Sequence, residues 1–538
     1  AYNERNNNES SDYTWACFSH FLNNEPMPGD EFSYKFTSST LPGISLEEVN
    51  QLAEKWITDN NVIIVVTGPD NENITIPDET TIREIYNKTI EQKVDPYKEI
   101  VVDKPLLSEK PNPSPVVEEK KDEQSGVIRW KLKNGAIVII KPTDFKKDEV
   151  YFRAFSPGGS SLYPDKDYMS ASVATEVAGE SGLGEFSNIE MRKLLSGKII
   201  SLRHSIGEYR EDINGVTRPQ DIEMFLQMVY LSFTSPRIEE SGLNLYLEKQ
   251  KTRTDNRKLD PSSALWDTVT VTLGQYNYRR RPWSMELLKE AQLDRINAIY
   301  RERFSNAADF TFIIVGSVDP ETLKPLVETY IGGIPSTGKT EKWKDLNIRY
   351  PNGIIEKKVP AEMKVPKGTA YITFTGKAEY SLENRVLLDA IADILDVRYT
   401  ETIREEQGGT YGVSVRAGIN HIPADELYMV INFDCDPGRI SDLMNIAYAE
   451  IEALKTKGPE QKYVDNFIKN KEKEREEKLR ENRYWSNFLY NKYLYGSQET
   501  EDQYIEQVRK ITADDVKNAA AGLFPNNDHV QIILVPKE

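Results

Sequence analysis

Thr512-Ala513-Asp514-Asp515-Val516 begins a helix–strand module that decides the fold, because the chain contains this module three times. The helix is predicted to run to about Gly522, and the strand Val530–Val535 follows it and ends at a proline. An earlier copy begins at Ser45-Leu46-Glu47-Glu48-Val49, and its strand Val62–Val66 leads to a proline at the same spacing. Both copies open with Ser/Thr-x-x-Asp/Glu, the capping box in which a hydroxyl and a carboxylate satisfy unpaired helix amides.

A middle copy, from Asp294-Arg295-Ile296 to the strand Phe310–Val315, is one residue longer. Three copies indicate homologous domain endings and divide the chain. Residues 1–76 are predicted to be the end of one domain, and residues 127–345 and 346–538 to be two further domains. Residues 77–126, with three closely spaced prolines and a charged run, are predicted to be an extended, solvated linker.

The two further domains show the same order of elements. The first is predicted to begin with a hairpin, Trp130–Ile140, with Asn-Gly at its turn, and to continue with the strand Val150–Phe155 and a helix near 167–180. The second is predicted to have the strand Ala370–Gly376 and a long helix, Ser381–Glu406. Strands followed by helices and a helix–strand ending predict α+β domains, each an antiparallel-rich sheet with helices packed on one face.

Composition excludes several classes of protein. The 538 residues include 68 basic and 86 acidic side chains, a net charge of −18, which disfavours a nucleic-acid partner. No apolar run approaches the ~20 residues of a membrane helix. The two cysteines, Cys17 and Cys435, provide no disulfide scaffold and are interpreted as free and buried. The first residues show neither an initiator methionine nor a signal peptide, so we expect a piece whose upstream part is missing.

One nucleotide-binding motif matches but is not supported by its surroundings. Gly333-Ile334-Pro335-Ser336-Thr337-Gly338-Lys339-Thr340 fits the phosphate-loop pattern. A working loop follows a buried strand and begins a helix, whereas a helix is predicted before this segment and a polar stretch after it. Residues 333–340 are therefore interpreted as a domain-connecting loop, and ATP binding there is not expected.

The histidines and the clusters of basic residues predict no further functional site. The four histidines, His20, His204, His421 and His529, include no pair at a spacing of four, so local sequence builds no helical zinc site, and each is interpreted as a packed or surface residue. The triplet Arg279-Arg280-Arg281 is interpreted as a solvated loop. The mixed charges of Lys469–Asn482 are typical of the exposed face of a long helix.

Arg404 and Tyr411 form the most informative pair. The long helix is predicted to stop at Gly408-Gly409, and Tyr411 begins the next strand, so a cation and a hydroxyl donor can project from the same edge. Such a pair suits an oxyanion or a peptide carbonyl. From the residues alone the alternative stays open, in which Arg404 complements the helix dipole and Tyr411 packs.

The segment from Arg404 to Val413 resembles the Arg/Tyr motif of pitrilysin/insulinase-family zinc peptidases, the inverzincins, with the same spacing between Arg and Tyr. Further similar segments cover nearly the whole chain, closest to bacterial two-half zinc proteases: Leu132-Lys133-Asn134-Gly135, Phe155-Ser156-Pro157-Gly158-Gly159, Ser181-Gly182-Leu183-Gly184-Glu185-Phe186-Ser187 and Phe433-Asp434-Cys435-Asp436-Pro437. The resemblance implies four α+β domains paired as two halves around a chamber. This chain would hold the end of the second domain, the inter-half linker, and the third and fourth domains.

The zinc motif of that family, H-x-x-E-H, is absent from this chain. In the equivalent helix of the third domain the same slots hold Val173-Ala174-Thr175-Glu176-Val177, so a carboxylate remains without either imidazole. The resemblance implies a non-catalytic half that closes the chamber, grips an extended peptide by strand pairing and presents Arg404 and Tyr411 to it.

Zinc would then be a cofactor of the full-length enzyme, held by a missing N-terminal half or a partner chain. This chain alone is expected to bind no zinc and cleave no peptide. The alternative is a non-enzymatic scaffold or processing-complex subunit of the same fold. Because bacterial relatives are often exported, the resemblance also suggests the periplasm.

Overall fold

The computed structural model describes residues 2–58, 61–68, 75–93, 95, 104–410, 412–524 and 528–537. The chain divides into an N-terminal unit, residues 1–103, and a C-terminal unit, residues 104–538. Each unit is described separately below.

The N-terminal unit is helical in its described part. It contains α1 (Ser10–Asn23), α2 (Asp30–Thr40), α3 (Leu46–Trp56) and α4 (Glu79–Glu91). The capping box at the start of α3 is confirmed, since the Glu48 amide donates to Ser45 Oγ at 3.1 Å and the Ser45 amide donates to Glu48 Oε2 at 2.7 Å. None of the described residues of this unit is buried.

Two predictions for this unit were wrong. Val62–Val66 is not a strand: no described strand of this unit is available to pair with it, so its high β propensity has no ladder to join. Cys17 is exposed rather than buried, whereas the burial predicted for Cys435 is confirmed.

The linker prediction also differs from the structure in two places. Helix α4 lies within residues 77–126, and β1 (Val116–Lys121) forms the edge of a sheet by pairing with β2 (Ile128–Leu132). The charged run therefore belongs to an edge strand, where charged side chains discourage further pairing. The division into domains at 76, 126 and 345 stays a prediction.

The C-terminal unit contains two sheets and a two-stranded ribbon. The first sheet has the order β1-β2-β3-β9-β4-β8-β7 and the second the order β10-β14-β11-β13-β12. The remaining strands are β3 (Ile137–Pro142), β4 (Val150–Pro157), the ribbon strands β5 (Gly182–Leu183) and β6 (Phe186–Ser187), β7 (Ile200–Ile206), β8 (Arg210–Thr217), β9 (Thr311–Gly316), β10 (Ile354–Ala361), β11 (Gly368–Lys377), β12 (Val413–Asn420), β13 (Glu426–Cys435) and β14 (His529–Pro536).

The repeat found in the sequence is confirmed by the topology of the two sheets. In the first sheet β3 runs parallel to β9, and β9, β4, β8 and β7 follow in antiparallel order. In the second, β10 runs parallel to β14, and β14, β11, β13 and β12 follow in antiparallel order. Strand β7 therefore occupies the same place in the first sheet as β12 occupies in the second.

Apart from one helix in each part, the helices cover one face of their own sheet. Around the first sheet these are α5 (Tyr168–Ser181), α6 (Asn188–Leu194), α7 (Ile222–Thr234), α8 (Glu240–Arg257), α10 (Met285–Leu288), α11 (Leu293–Arg303) and α12 (Pro320–Tyr330). Around the second sheet they are α13 (Leu382–Tyr399), α14 (Ile440–Lys457), α15 (Gln461–Lys478), α17 (Glu501–Val508) and α18 (Ala513–Leu523). The two exceptions are α9 (Ser262–Leu273) and α16 (Asn482–Leu494). The charged run predicted to lie on a long helix falls on α15 and the turn after it.

The other face of each sheet is covered by a helix of the other part. Leu489 and Tyr490 of α16 pack on the first sheet, where Tyr490 meets the Phe155 ring at a centroid distance of 5.2 Å. In return, Leu265 and Val269 of α9 pack on β14 of the second sheet. Because apolar surface is buried in both directions, the two parts form one interlocked unit.

Candidate functional site

Helix α5 holds the slots where the family pattern places its zinc motif. Val173 and Val177 are fully buried in the main core of the first sheet, whereas Glu176 is exposed and accepts a hydrogen bond from Thr175 Oγ1 at 3.0 Å. Two hydrocarbon side chains in place of imidazoles give no nitrogen donors, so the residues of this helix do not fit zinc. Within the described ranges, no group of three or more His, Cys, Asp or Glu side chains is arranged to hold a metal ion.

Helix α8 lies against α5 because a glycine permits close approach. A Cβ at Gly242 would lie 2.1 Å from Ser181 Oγ, so a larger residue there would collide with the end of α5. Ser181 Oγ itself donates to the Val177 carbonyl at 2.8 Å and accepts from the Glu239 amide at 3.1 Å. This contact fixes the face of α8 that carries Lys249 and Arg253.

A cleft of about 910 Å³ lies between α5 and β7, with further walls from α6, α7 and α8, and is called the α5–β7 cleft below. Its volume is within the range of ligand-binding clefts. Glu176 and Glu180 line it from α5, and Leu202–Ser205 line it from β7. The cleft thus surrounds Glu176, the carboxylate that the resemblance aligns with the family's zinc motif.

His204 lies in this cleft on β7 but is poorly suited to be a base. Its ring packs edge-on against Phe304 at a centroid distance of 5.4 Å, and Nε2 is buried without a hydrogen-bond partner among the described residues. Burial lowers the pKa of His204 to about 4, so the ring is neutral at pH 7.

Arg404 lies where the sequence predicts it, at the end of the long helix. Helix α13 continues as a π-helix, Thr400–Glu406, and Arg404 is exposed in its last turn. Short π-helical segments are frequent at functional sites. No carboxylate in the described part of the chain pairs with the Arg404 guanidinium, which therefore remains available to a ligand. Tyr411 lies outside the described residues, so the geometry of the pair stays a prediction.

The turn after the π-helix requires both of its glycines. Gly408 has φ of +55°, and a Cβ on Gly409 would lie 2.8 Å from the Leu443 side chain. Arg439 holds the turn from the next strand connection, with Nη1 donating to the Gln407 carbonyl at 2.9 Å. The Phe433–Pro437 segment that contributed to the resemblance thus leads directly into the residue that anchors the Arg404 segment.

The edge strand beside Arg404 is partly closed. Strand β12 pairs with β13 on one side, and on the other Asp396 Oδ1 of α13 accepts a hydrogen bond from the Val415 amide at 3.0 Å. An edge amide that already has a partner is not available to an added strand. Peptide pairing along β12 would therefore have to avoid Val415.

Comparisons with known proteins agree with this geometry. Residues 290–471 match the family model described as "Peptidase M16 inactive domain". A zinc protease PQQL-like protein of Arabidopsis thaliana is 26% identical over 489 residues, covering 87% of this chain and 48% of that protein. The probable zinc protease PqqL of Haemophilus influenzae is 22% identical over 449 residues, covering 83% of this chain and 47% of that protein.

Two solved structures share the fold. The periplasmic protease PqqL from Escherichia coli superposes with a TM-score of 0.71 at 19% identity, covering 99% of this chain and 59% of that one. A mutant of the ferredoxin protease FusC, solved in complex with Arabidopsis ferredoxin, gives 0.72 at 17% identity, covering 98% and 58%. Residues 290–471 thus match the inactive domain of the M16 peptidase family, and the chain as a whole is similar to zinc proteases of the PqqL type. It spans about half the length of the curated relatives it matches.

The phosphate-loop match of this chain lies in the context that its sequence predicts. It follows α12, and no helix or strand is formed between Tyr330 and Ile354. Its polar groups have side-chain partners, since the Thr337 amide donates to Asn306 Oδ1 at 3.0 Å and Asn306 Nδ2 donates to the Lys339 carbonyl at 2.7 Å. The segment connects the two sheets.

The interpretation of the arginine triplet as a solvated loop was wrong. Arg279 is buried and donates to the carbonyls of Ser160 and Tyr163, while Arg280 and Arg281 form bidentate pairs with Glu208 and Glu290. The acceptors of Arg279 and Arg280 lie 119 and 72 positions earlier in the chain at Ser160 and Glu208, so local sequence does not reveal them.

The sequence also did not single out the arginines of the α5–β7 cleft. Arg192, Arg203 and Arg253 come from α6, β7 and α8 and share no local motif. The spacing of Lys249 and Arg253 on one helical face is a local pattern that could have indicated the basic side of this cleft. Among the described helices, none combines the length and apolar composition that crossing a membrane requires.

Proposed function

We propose that this chain is the non-catalytic C-terminal half of a zinc-dependent endopeptidase, where it closes the chamber and binds the peptide substrate. The observation that supports this most directly is the state of α5. An otherwise complete M16 domain retains Glu176 but has buried Val173 and Val177 in the zinc-ligand slots. The match to the family's inactive domain and the relatives named as zinc proteases support the same role.

Zinc, in this proposal, is held outside this chain, by an N-terminal half or a partner chain with H-x-x-E-H. The metal would supply Lewis-acid chemistry there. The residues of this chain would bind and orient the substrate. Protein substrates are part of the proposal as well, because the structure of the relative FusC contains a bound ferredoxin.

Arg404 and Tyr411 are proposed to contact the substrate. The Arg404 guanidinium is exposed at the end of a π-helix and has no ion-pair partner in the described ranges, so it can donate hydrogen bonds to a peptide carbonyl. The Tyr411 hydroxyl would donate to the oxyanion that forms as the carbonyl is attacked. We also propose a periplasmic location, which the E. coli relative's description supports.

The test uses the complete enzyme, as a full-length protein or as this chain reconstituted with the zinc-bearing half. Tyr411→Phe keeps the ring and removes only the hydroxyl, so we expect kcat to fall at least about tenfold with an unchanged melting temperature. Arg404→Ala is expected to lower kcat and raise KM. Arg480→Ala, an exposed arginine on the turn after α15, is the matched control and should cleave at the wild-type rate.

Two results would contradict the proposal. Wild-type cleavage by Tyr411→Phe would leave Tyr411 a packing residue. A complete protein that binds peptide but does not cleave it, or an upstream sequence without H-x-x-E-H, would favour the alternative, a non-enzymatic scaffold or processing-complex subunit.

A further inference from the structure

The α5–β7 cleft is positively charged on a chain that is acidic as a whole. The net charge of the chain is −18. The cleft nevertheless has five cationic side chains against two anionic ones, Glu176 and Glu180; the cations are Arg192, Arg203, Arg237, Lys249 and Arg253. This local reversal of sign attracts anionic ligands.

Three of these cations have no carboxylate partner in the described part of the chain. Lys249 pairs with Glu180 at 2.6 Å, and Arg237 pairs with Glu239 at 2.8 Å. Within the described ranges no carboxylate pairs with the three exposed arginines of the cleft, which come from three different walls: Arg192, Arg203 and Arg253. Glu176 is the one anion of the cleft without a cationic partner there.

The cleft also contains a free strand edge. Strand β7 ends the first sheet and pairs with β8 alone among the described strands. Four consecutive residues, Leu202–Ser205, line the cleft. Because successive side chains of a strand point to opposite faces, a cleft that contacts all four must include the edge of the strand. An edge of this kind offers backbone donors and acceptors to an extended peptide.

We propose that the α5–β7 cleft is a docking site for an acidic peptide segment, which pairs as an added strand with β7 while its carboxylates meet Arg192, Arg203 and Arg253. Backbone pairing supplies binding to any extended peptide, and the arginines supply the preference for acidic sequence. A nucleic acid matches the charge but has no peptide backbone to pair with the edge. The role of this site in substrate selection rests on the proposed function, whereas its binding chemistry does not.

The topologically equivalent strand supports the choice of β7. On β12 the Val415 edge amide already donates to Asp396, a residue of α13. The described residues of α5 make no such hydrogen bond to β7. Among the described strands, β7 therefore has the more accessible edge, and this edge lies in a cleft with three unpaired arginines.

Binding of labelled peptides to the whole chain, followed by fluorescence anisotropy, tests the proposal. The probes are a strand-length peptide that alternates Glu or Asp with Val, its Gln/Asn counterpart, and the acidic peptide N-methylated at alternate residues. The chain is compared with the triple variant Arg192→Gln/Arg203→Gln/Arg253→Gln. A matched triple variant changes three exposed cations outside the cleft, Lys147→Gln/Arg480→Gln/Arg483→Gln.

We expect the unmodified chain to bind the acidic peptide about tenfold more tightly than the neutral one, roughly what three exposed charge pairs contribute together. The cleft variant should lose this preference and the matched variant keep it. Raising the salt concentration should reduce the preference, because exposed charges are screened. N-methylation of the acidic peptide should weaken its binding to both triple variants, because it removes hydrogen-bond donors from the peptide backbone.

Four outcomes would overturn the proposal: equal affinity for acidic and neutral peptides, an equal loss in both triple variants, no effect of N-methylation, or equally tight binding of an oligonucleotide of the same charge. Binding is measured without cleavage. A failure here therefore leaves the Arg404 and Tyr411 assay standing, and a failure of that assay leaves this site standing.

Discussion

Removing the Arg279 side chain is predicted to destabilise the C-terminal unit, although its neighbour Arg281 can be removed at little cost. The Arg279 side chain is only 2% exposed. Its guanidinium donates to the Ser160 carbonyl at 3.0 Å, the Tyr163 carbonyl at 2.6 Å and Asp165 Oδ1 at 2.8 Å. These acceptors belong to the segment that leads from β4 into α5, so Arg279 positions the helix that forms one wall of the cleft.

The magnitude follows from which acceptors water can reach. The Asp165 side chain is 58% exposed and would be rehydrated after Arg279→Ala. The Tyr163 carbonyl would lose its buried donor at a cost of ~1–3 kcal/mol, whereas the Ser160 carbonyl keeps the Tyr163 amide as a donor at 3.1 Å, so the total loss is about 3 kcal/mol or less. Arg281 pairs with Glu290 at the surface, with both side chains 32% exposed, and such pairs contribute less than ~1 kcal/mol.

Thermal unfolding of Arg279→Ala and Arg281→Ala, followed by circular dichroism, measures the difference. A loss of about 3 kcal/mol corresponds to several degrees in Tm, and Arg281→Ala should remain close to the unmodified chain. Hydrogen exchange should accelerate at the start of α5 in Arg279→Ala alone. Equal, small shifts of Tm in both variants would refute the reasoning and support the interpretation of the arginine triplet as a solvated loop.

Three further predictions concern single side chains. Burial raises the pKa of Glu211 to about 7 from 4.5, so the folded chain holds this proton more tightly than the unfolded chain. The contribution of Glu211 to stability should therefore be fully present below pH 4.5 and fall by up to ~3 kcal/mol as pH rises through 7. Urea unfolding of Glu211→Gln should show less loss of stability over this pH range than the unmodified chain, and an unchanged slope would contradict the assignment. Millimolar nucleotide should leave Tm unchanged. A rise of Tm that disappears in Lys339→Ala would instead support nucleotide binding at residues 333–340. Glu176→Gln should strengthen binding of the acidic peptide about two- to threefold, because it removes one repelling carboxylate; weaker binding would show that Glu176 contacts the peptide favourably.

Local sequence predicted the elements well because their determinants are local. The Thr512 capping box forms, with the Asp515 amide donating to Thr512 Oγ1 at 3.2 Å, and the Asn-Gly hairpin joins β2 to β3. The repeated module is confirmed as an element pair in its middle and last copies, α11 with β9 and α18 with β14. Capping, turn chemistry and hydrophobic runs act within a few residues, so the chain itself reveals them.

What the sequence did not predict depends on residues far apart in the chain. The exchange of α9 and α16 between the two sheets places Tyr490 against Phe155, and nothing near either residue indicates the other. The same holds for the burial of Arg279, which depends on acceptors more than a hundred positions earlier. The family resemblance identified the Arg404 segment, whereas the three arginines of the α5–β7 cleft come together only because α6, β7 and α8 meet in space.

The two sheets show how one topology can hold different sites. In both, a helix follows the second antiparallel strand and leads to the edge strand: α5 to β7, and α13 to β12. On α13, Asp396 closes part of its edge strand, and the π-helix beyond it presents Arg404 at the end. On α5, Val173 and Val177 occupy the slots that the resemblance aligns with zinc ligands, and the described residues form no such closure, so the edge stays open beside unpaired arginines. In the proposed role, a domain without zinc ligands on this helix still offers a strand edge and a cleft around it, which are features that peptide binding requires.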